Sequence, residues 1–163
     1  MLFAIFSILV LLFGFVLLFG APYLPTQRKQ TQAALDLLDL KPGQTFYELG
    51  CGDGRVLKQA AQRGLNVVGY ELNPILVLVA YVYTWKHRKQ TQIVWGSFWN
   101  ADISKADGVF VFLLDRFMPR LDKKLQAEHG KSLALVSYTF KIPGRKATAY
   151  QDGVFLYLYN KPT

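Results

Sequence analysis

The sequence predicts an α/β domain with a mostly parallel sheet, preceded by one membrane-spanning helix. Three observations support this fold class. Strand-like and helix-like segments alternate through most of the chain, a glycine-rich stretch joins the first strand to the next helix, and uncharged apolar residues fill the amino-terminal segment. The 139 residues that follow the first 24 suffice for one hydrophobic core and are too few for two domains, so we expect any site to belong to a single compact unit.

The amino-terminal segment from Leu2 to Phe19 carries no charge and would span about 27 Å as a helix. That length is close to the hydrocarbon thickness of a bilayer. A signal peptide is the main alternative, but no Lys or Arg precedes the segment, and Pro22 and Pro25 follow it where a cleavage site would be expected. We therefore divide the chain into a transmembrane anchor (1–24), a linker (25–30) and a folded domain (31–163).

The distribution of positive charge predicts the orientation of this anchor. Arg28, Lys29 and Lys41 follow the apolar segment, so the positive-inside rule places the domain on the cytoplasmic or topologically equivalent side. The chain has a formal net charge of +8. Next to an apolar anchor, this excess favours contact with anionic lipid head groups over binding to nucleic acid.

Alternating and continuous apolar runs predict five strands and a terminal hairpin. The strands are expected at 45–49, 66–72, 91–98, 107–114 and 132–140, and the hairpin at 147–161 with its turn at 151–153. Helices are expected after Thr31 as N-cap and at 55–64, 74–89 and 118–130. Because the first, fourth and fifth strands are near-continuous apolar runs, we expect helices on both faces of the sheet and the hairpin as an antiparallel edge.

The strongest chemical signal is the stretch Glu48-Leu49-Gly50-Cys51-Gly52-Asp53-Gly54, at the junction of the first strand and its helix. Glycines at this place let backbone N–H groups approach a ligand closely. A dinucleotide fingerprint would need glycine at position 55, which is Arg55, so the spacing is G-x-G-x-G.

A second acidic residue, Glu71, ends the second predicted strand. A carboxylate there can accept hydrogen bonds from both hydroxyls of a ribose. Together with the glycine stretch it predicts a site for a nucleoside-containing ligand. The alternative is a solvated glutamate beside a structural glycine turn. A single cysteine, Cys51, excludes an internal disulfide and a multi-cysteine zinc site, and no metal site is expected.

These motifs resemble the class I, seven-β-strand methyltransferases that use S-adenosylmethionine and have a Rossmann-like sheet. The resemblance implies S-adenosylmethionine as cofactor, with the methionine part held by the glycine loop and its flanks and the ribose held by Glu71. It also implies that Ser97 stands where the family usually carries an adenine-binding aspartate, and that Phe98 stacks on the adenine. The residues assigned to the cofactor in this way are Glu48, Gly50, Cys51, Gly52, Asp53, Gly54, Glu71, Leu72, Asn73, Ser97 and Phe98.

On the acceptor side, the resemblance aligns Asp115, after the fourth strand, with the position where methyl transfer takes place. Asp115 would orient an acceptor amine, while Tyr138 and Phe140 at the end of the fifth strand would form an apolar slot that favours the neutral amine. The alternative is that both rings are ordinary core residues of a strand end.

A narrower resemblance comes from ELGCGDGRV, GYELNP and SYTFKIPG behind an apolar amino-terminal helix. These segments resemble the small lysine methyltransferases that modify the ATP synthase c subunit and adenine nucleotide translocase, together with their prokaryotic relatives. The implied function is methyl transfer to a lysine of a membrane or membrane-associated protein. Two alternatives remain open, namely a lipid or small apolar acceptor and a non-catalytic cofactor-binding scaffold at the membrane.

Overall fold

The computed structural model describes residue 3 and residues 24–160, which form a seven-stranded sheet with flanking helices. The predicted anchor lies outside the described residues except for positions 3 and 24. Among the described residues, no helix is both long enough and apolar enough to cross a bilayer.

Residues 24–160 form four α-helices and seven strands. The helices are α1 (Arg28–Leu38), α2 (Arg55–Gln62), α3 (Pro74–Thr84) and α4 (Met118–Glu128). The strands are β1 (Thr45–Leu49), β2 (Asn66–Glu71), β3 (Thr91–Trp95), β4 (Gly108–Val111), β5 (Leu133–Tyr138), β6 (Ala149–Gln151) and β7 (Val154–Tyr159). Short 3-10 helices occupy Trp85–His87, Phe98–Asn100 and Asp115–Phe117.

The strand order is β3-β2-β1-β4-β5-β7-β6. Strands β1 to β5 are parallel, and β7 runs antiparallel between β5 and β6. The predicted α/β class and the antiparallel terminal hairpin are therefore confirmed. The order reverses between β1 and β4, and ligands of open α/β sheets bind in the crevice that such a reversal leaves at the carboxyl ends of the strands.

The two faces of the sheet are covered by two buried clusters. Leu35, Leu57 and Val77 bring α1, α2 and α3, respectively, against one face. Leu121 and Leu125 bring α4 against the other face. Since both faces are covered, the central strands are apolar on both sides, as the sequence predicted.

Several predicted boundaries are corrected. Helix α1 begins at Arg28 with Gln27 as N-cap, within the stretch predicted as a linker, and the Thr31 hydroxyl donates to the Gln27 carbonyl 3.1 Å away instead of capping the helix. The fourth strand ends at Val111, because its neighbour β1 ends at the paired Leu49. The third strand ends at Trp95, and α3 ends at Thr84 before a 3-10 turn.

Candidate functional site

An open cleft lies at the carboxyl ends of β1, β2 and β4 and holds about 880 Å³ of empty space. Most of the residues assigned to a cofactor from the sequence line it, namely Glu48, Gly50, Cys51, Gly52, Asp53, Glu71, Leu72, Ser97 and Phe98. Gly54 and Asn73 do not line the cleft, and each instead supports α2 or α3 behind it.

The glycine loop turns sharply between β1 and α2. Gly50, Gly52 and Gly54 have φ angles of 94°, 53° and 79°, a region that side chains rarely allow. The N–H groups of Gly50 and Cys51 both donate to the Tyr70 carbonyl, at 2.9 and 2.8 Å, and so tie the loop to β2. Gly54 serves packing, because a Cβ there would lie 3.0 Å from the Ala80 Cβ of α3.

Glu71 lines the cleft and is held in place by two backbone hydrogen bonds. Its Oε2 accepts from the Gly52 N–H at 2.9 Å, and its Oε1 accepts from the Asn73 N–H at 2.8 Å. Asn73 in turn caps α3, since its Oδ1 accepts from the Ile75 and Leu76 N–H groups. Each carboxylate oxygen of Glu71 retains a lone pair, so the group can still accept hydrogen bonds from a ligand.

Glu48 is the second buried carboxyl group of the cleft. It is 4% exposed, and within the described part of the chain its Oε2 has no hydrogen-bond partner. Burial, reinforced by the negative charge of Asp53, raises the pKa of Glu48 well above its usual range. A carboxylate in this position lowers stability unless a donor or a cation sits opposite it.

Cys51 and Asp53 contribute differently. Cys51 is buried, and the loss of solvent around it raises the pKa of its thiol well above the usual value, which keeps it neutral. It packs next to β2, where a Cβ at Gly69 would lie 2.8 Å from its Sγ. Asp53 forms an ion pair with Arg55 at 2.7 Å. Neither arrangement resembles a nucleophile beside a base.

Ser97 and Phe98 lie at the end of β3 on the same cleft. The Ser97 Oγ accepts from the Trp99 N–H at 3.4 Å and caps the short 3-10 helix. The rings of Phe98 and Trp99 lie 4.6 Å apart, which makes this wall of the cleft aromatic. This wall of the cleft therefore offers aromatic rings on which a ligand can stack. The carboxylates that line the cleft belong to Glu48, Asp53 and Glu71.

The three acceptor-side residues do not line the cleft in the described structure. Asp115 is exposed in a 3-10 helix, two residues after the cleft residue Leu113. Tyr138 contacts Phe112 with ring centroids 4.6 Å apart, and Phe112 lines the cleft. Phe140 packs in the cluster around α4, whereas Tyr138 packs in the cluster around α1 to α3.

A tight turn separates these two aromatic rings. Thr139 has a φ of 74°, the Phe140 N–H donates to the Tyr138 carbonyl at 3.0 Å, and the Ser137 hydroxyl donates to the Phe140 carbonyl at 2.7 Å. A positive φ is unusual for a β-branched residue and costs energy. Tyr138 and Phe140 consequently do not form one shared slot, and Tyr138 is the ring next to the cleft.

Several cleft residues were not predicted, namely Leu24, Pro25, Thr26, Arg55, Val56, Tyr70, Leu76, Gly96, Trp99, Phe112 and Leu113. Phe112 and Leu113 were assigned to the fourth strand. The first three precede α1 and belong to stretches predicted as anchor and linker. No local sequence pattern marks Leu24, Pro25 and Thr26 as cleft residues, because their position results from how α1 packs on the sheet.

A comparison with protein families identifies the relationship. The family model described as "ANTKMT methyltransferase domain" matches residues 48–149, which is more than half of the chain. The chain belongs to this family. The matched range of this ANTKMT-type domain contains the glycine loop, Glu71 and all of the acceptor-side residues named above.

Relatives of this ANTKMT-type domain include named lysine methyltransferases. The chain is 34% identical over 125 residues to the "Adenine nucleotide translocase lysine N-methyltransferase" of Mus musculus, covering 75% of this chain and 54% of that protein. It is 33% identical over 150 residues to the "Protein-lysine N-methyltransferase" of Saccharolobus islandicus, covering 84% of this chain and 92% of that protein. The chain thus spans about half the length of the mouse relative and most of the second one.

Among solved structures, the ANTKMT-type domain is similar to an RNA methyltransferase from Salinibacter ruber in complex with S-adenosyl-L-homocysteine. The TM-score is 0.77 and the sequence identity 26%, over 85% of this chain and 94% of that chain. The similarity therefore covers most of both chains and supports the methyltransferase class of the fold.

Proposed function

We propose that the chain is an S-adenosylmethionine-dependent methyltransferase that modifies a lysine side chain of a membrane or membrane-associated protein. The observation that carries this proposal is the pair of buried carboxyl groups, Glu48 and Glu71, on either side of the glycine loop. Family membership and the named lysine methyltransferases among the relatives support the reaction type and the acceptor.

The residues of the cleft fit the proposed cofactor. The unpartnered Oε2 of Glu48 is suited to an ammonium group, such as that of the methionine part. The two oxygens of Glu71 are fixed by Gly52 and Asn73 and suit the ribose hydroxyls. A Cβ placed on Gly50 would meet nothing within 4 Å, so a ligand can approach the backbone of the loop at that position. Phe98 offers a ring for the adenine.

The chemical task of the protein is mainly positioning. When bound, S-adenosylmethionine supplies a methyl group on a sulfonium, whose leaving group is already activated. The chain's residues then have to orient the acceptor nitrogen in line and exclude water. Phe112 and Tyr138 supply an apolar surface at the carboxyl ends of β4 and β5, and such surroundings favour the neutral amine that can react. Asp115 is proposed to receive the acceptor at the rim.

The amino-terminal segment is proposed as a single-pass anchor with the domain on the cytoplasmic or equivalent side. Leu24, Pro25 and Thr26 line the cleft. From Phe19 to Leu24 the chain can extend over at most ~17 Å, at about 3.4 Å per residue. An anchored domain would therefore hold its cleft close to the lipid surface, where lysines of membrane proteins are found.

The experiment is to add radiolabelled S-adenosylmethionine to the purified full chain together with membranes, and then to separate protein, lipid and RNA. Label in a protein band that mass spectrometry maps to a methylated lysine supports the proposal. Label confined to the lipid extract, or to RNA, would assign a different acceptor. Calorimetry with the cofactor tests the scaffold alternative, since binding without any transfer to membrane proteins would favour it. The Glu71→Ala variant serves as the inactive control.

A further inference from the structure

Helix α3 exposes apolar side chains where the other helices expose polar ones. Ile75, Leu78, Val79 and Val82 follow the i, i+3, i+4, i+7 spacing of one helix face, and they are between 41% and 71% exposed. The opposite face packs on the sheet through Val77, Ala80 and Thr84. Helix α4 has the same length but exposes mainly polar positions, among them Arg120, Lys123, Gln126 and Glu128.

Exposed aromatic rings extend this face. Tyr81, Tyr83, Trp85 and Trp95 are 47% to 67% exposed. Two of their polar atoms still find partners, since the Tyr81 hydroxyl donates to the Ile93 carbonyl at 2.8 Å and the Trp95 Nε1 to the Leu72 carbonyl at 3.1 Å. We call these four rings and the four aliphatic residues of the stripe the α3 surface. Aromatic rings with a polar tip are enriched where proteins meet the membrane–water interface.

Positive charge borders the α3 surface, and negative charge is scarce around it in the sequence. Lys86, Arg88 and Lys89 follow the helix, and no Asp or Glu occurs between Glu71 and Asp102. The Arg88 guanidinium lies 4.9 Å from the Trp85 ring centroid, so the cationic and aromatic groups form one continuous border. Apolar residues with aromatic and basic neighbours match the apolar boundary and the anionic head groups of a bilayer.

We propose that the α3 surface lies in the head-group region of an anionic bilayer, as a membrane contact separate from the amino-terminal segment. Three features favour lipid over another protein. The aliphatic stripe is a convex helix face. The aromatic rings of the α3 surface carry polar tips, and the residues that follow the helix in the sequence are positively charged. A contact with a second copy would bring together two chains that each carry a formal net charge of +8, at an electrostatic cost.

This contact would fix the orientation of the cleft. Leu76 of α3 and Leu24 both line the cleft, so α3 and Leu24, the last position of the predicted anchor, border the same opening. Two contacts define the orientation of a domain on a surface, whereas one leaves it free to rotate. The inference rests on the membrane part of the proposed function and is independent of the acceptor.

The test uses the full chain in vesicles of phosphatidylcholine and phosphatidylglycerol with brominated acyl chains, which quench nearby tryptophan. Because the chain has three tryptophans, Trp85, Trp95 and Trp99, two Phe substitutions leave one reporter. We expect the Trp85 reporter to be quenched at least threefold more strongly than the Trp99 reporter in the cleft. Leu78→Glu with Val82→Glu should remove most of this difference. Leu158→Glu, at a residue 51% exposed on β7, is the matched control and should not change it.

Flotation of the same vesicles separates this inference from the proposed anchor. If the chain floats but Trp85 is quenched no more than Trp99, the α3 surface does not contact the bilayer, and the inference is overturned while the anchor stands. If the chain does not float, both are overturned. Thermal melting by circular dichroism checks that the charged variants fold. A second variant, Lys86→Gln with Arg88→Gln and Lys89→Gln, should lose the dependence of quenching on phosphatidylglycerol without altering the apolar stripe.

Discussion

The two sides of the cleft are built differently. The cofactor side, formed by the Glu48–Gly54 loop and Glu71, is buried and tied together by backbone hydrogen bonds to β2. The acceptor side, formed by residues 112–115 and 138–140, combines an exposed carboxylate with a strained turn. Substitutions on the cofactor side should therefore change both ligand binding and stability, whereas those on the acceptor side should change transfer alone.

The largest effect is expected from Glu71→Ala. The change removes the proposed ribose contacts and leaves the N–H groups of Gly52 and Asn73 without their acceptor. We expect cofactor affinity to fall by more than about a hundredfold, because charged hydrogen bonds contribute about 1.5–3 kcal/mol each. Calorimetry measures the cofactor affinity. The matched control is Asp36→Ala, at a surface carboxylate paired with Arg63, which should bind the cofactor like the parent protein. Equal affinities of the two variants would contradict the ribose assignment.

A smaller effect, on stability, is expected from Gly54→Ala. The added Cβ would meet the Ala80 Cβ at 3.0 Å and the Ala80 Cα at 3.2 Å, and the φ of 79° is strained for alanine. We expect the free energy of unfolding to fall by about 2 kcal/mol. Urea denaturation in detergent measures this change. Gly50→Ala is the control, because Gly50 has a similar φ of 94° but a Cβ there would meet open space. For this variant we expect the free energy of unfolding to fall by about 1 kcal/mol. Equal losses would mean that packing against α3 is unimportant.

Much of the cofactor side could be predicted because its signals are local in the sequence. The first strand was predicted at 45–49, as observed, and the glycine loop and the strand-end Glu71 follow from turn chemistry. The hairpin turn is also confirmed, with Asp152 and Gly153 at φ angles of 50° and 84°. In each case neighbouring residues determine the conformation.

The acceptor side depends on long-range packing and was predicted less well. Phe112 was assigned to a strand, but β4 loses its β1 partner after Val111 and leaves Phe112 free to line the cleft. The separation of Tyr138 from Phe140 depends on a positive φ at Thr139, which β-branched residues rarely adopt. Local sequence preferences argue against that turn, so no pattern could have indicated it.

Glu48→Gln separates binding from stability on the cofactor side. The raised pKa of Glu48 means that this carboxyl group gives up its proton less readily in the folded protein than in the unfolded chain. The free energy of unfolding therefore falls as the pH rises from the pKa of Glu48 in the unfolded chain to its pKa in the folded protein. Glutamine removes this cost. We expect the variant to be about 1 kcal/mol more stable than the parent at pH 8, with little difference at pH 4. Cofactor affinity at pH 8 should fall about tenfold, through loss of a charge-assisted contact.

Urea denaturation at the two pH values and calorimetry at pH 8 measure these changes. A variant that is less stable at pH 8 would show that the Glu48 carboxylate has a stabilising partner. Unchanged affinity would instead remove Glu48 from the proposed ammonium site. Either result would weaken the distinction between the two sides of the cleft.

The smallest effect is expected from Asp115→Asn. Asp115 is exposed, and in solvent a single charge contact contributes roughly 0.2–1 kcal/mol, so kcat/KM for the protein acceptor should fall about threefold. The cofactor Kd and the melting temperature should not change, because Asp115 lies outside the residues that line the cleft. Transfer assays at low and high salt measure the effect, which should disappear at high salt if Asp115 acts by attracting the acceptor. A loss of a hundredfold or more would instead show that the 3-10 helix moves Asp115 into the cleft when the acceptor binds, and the acceptor side would then be as tightly organised as the cofactor side.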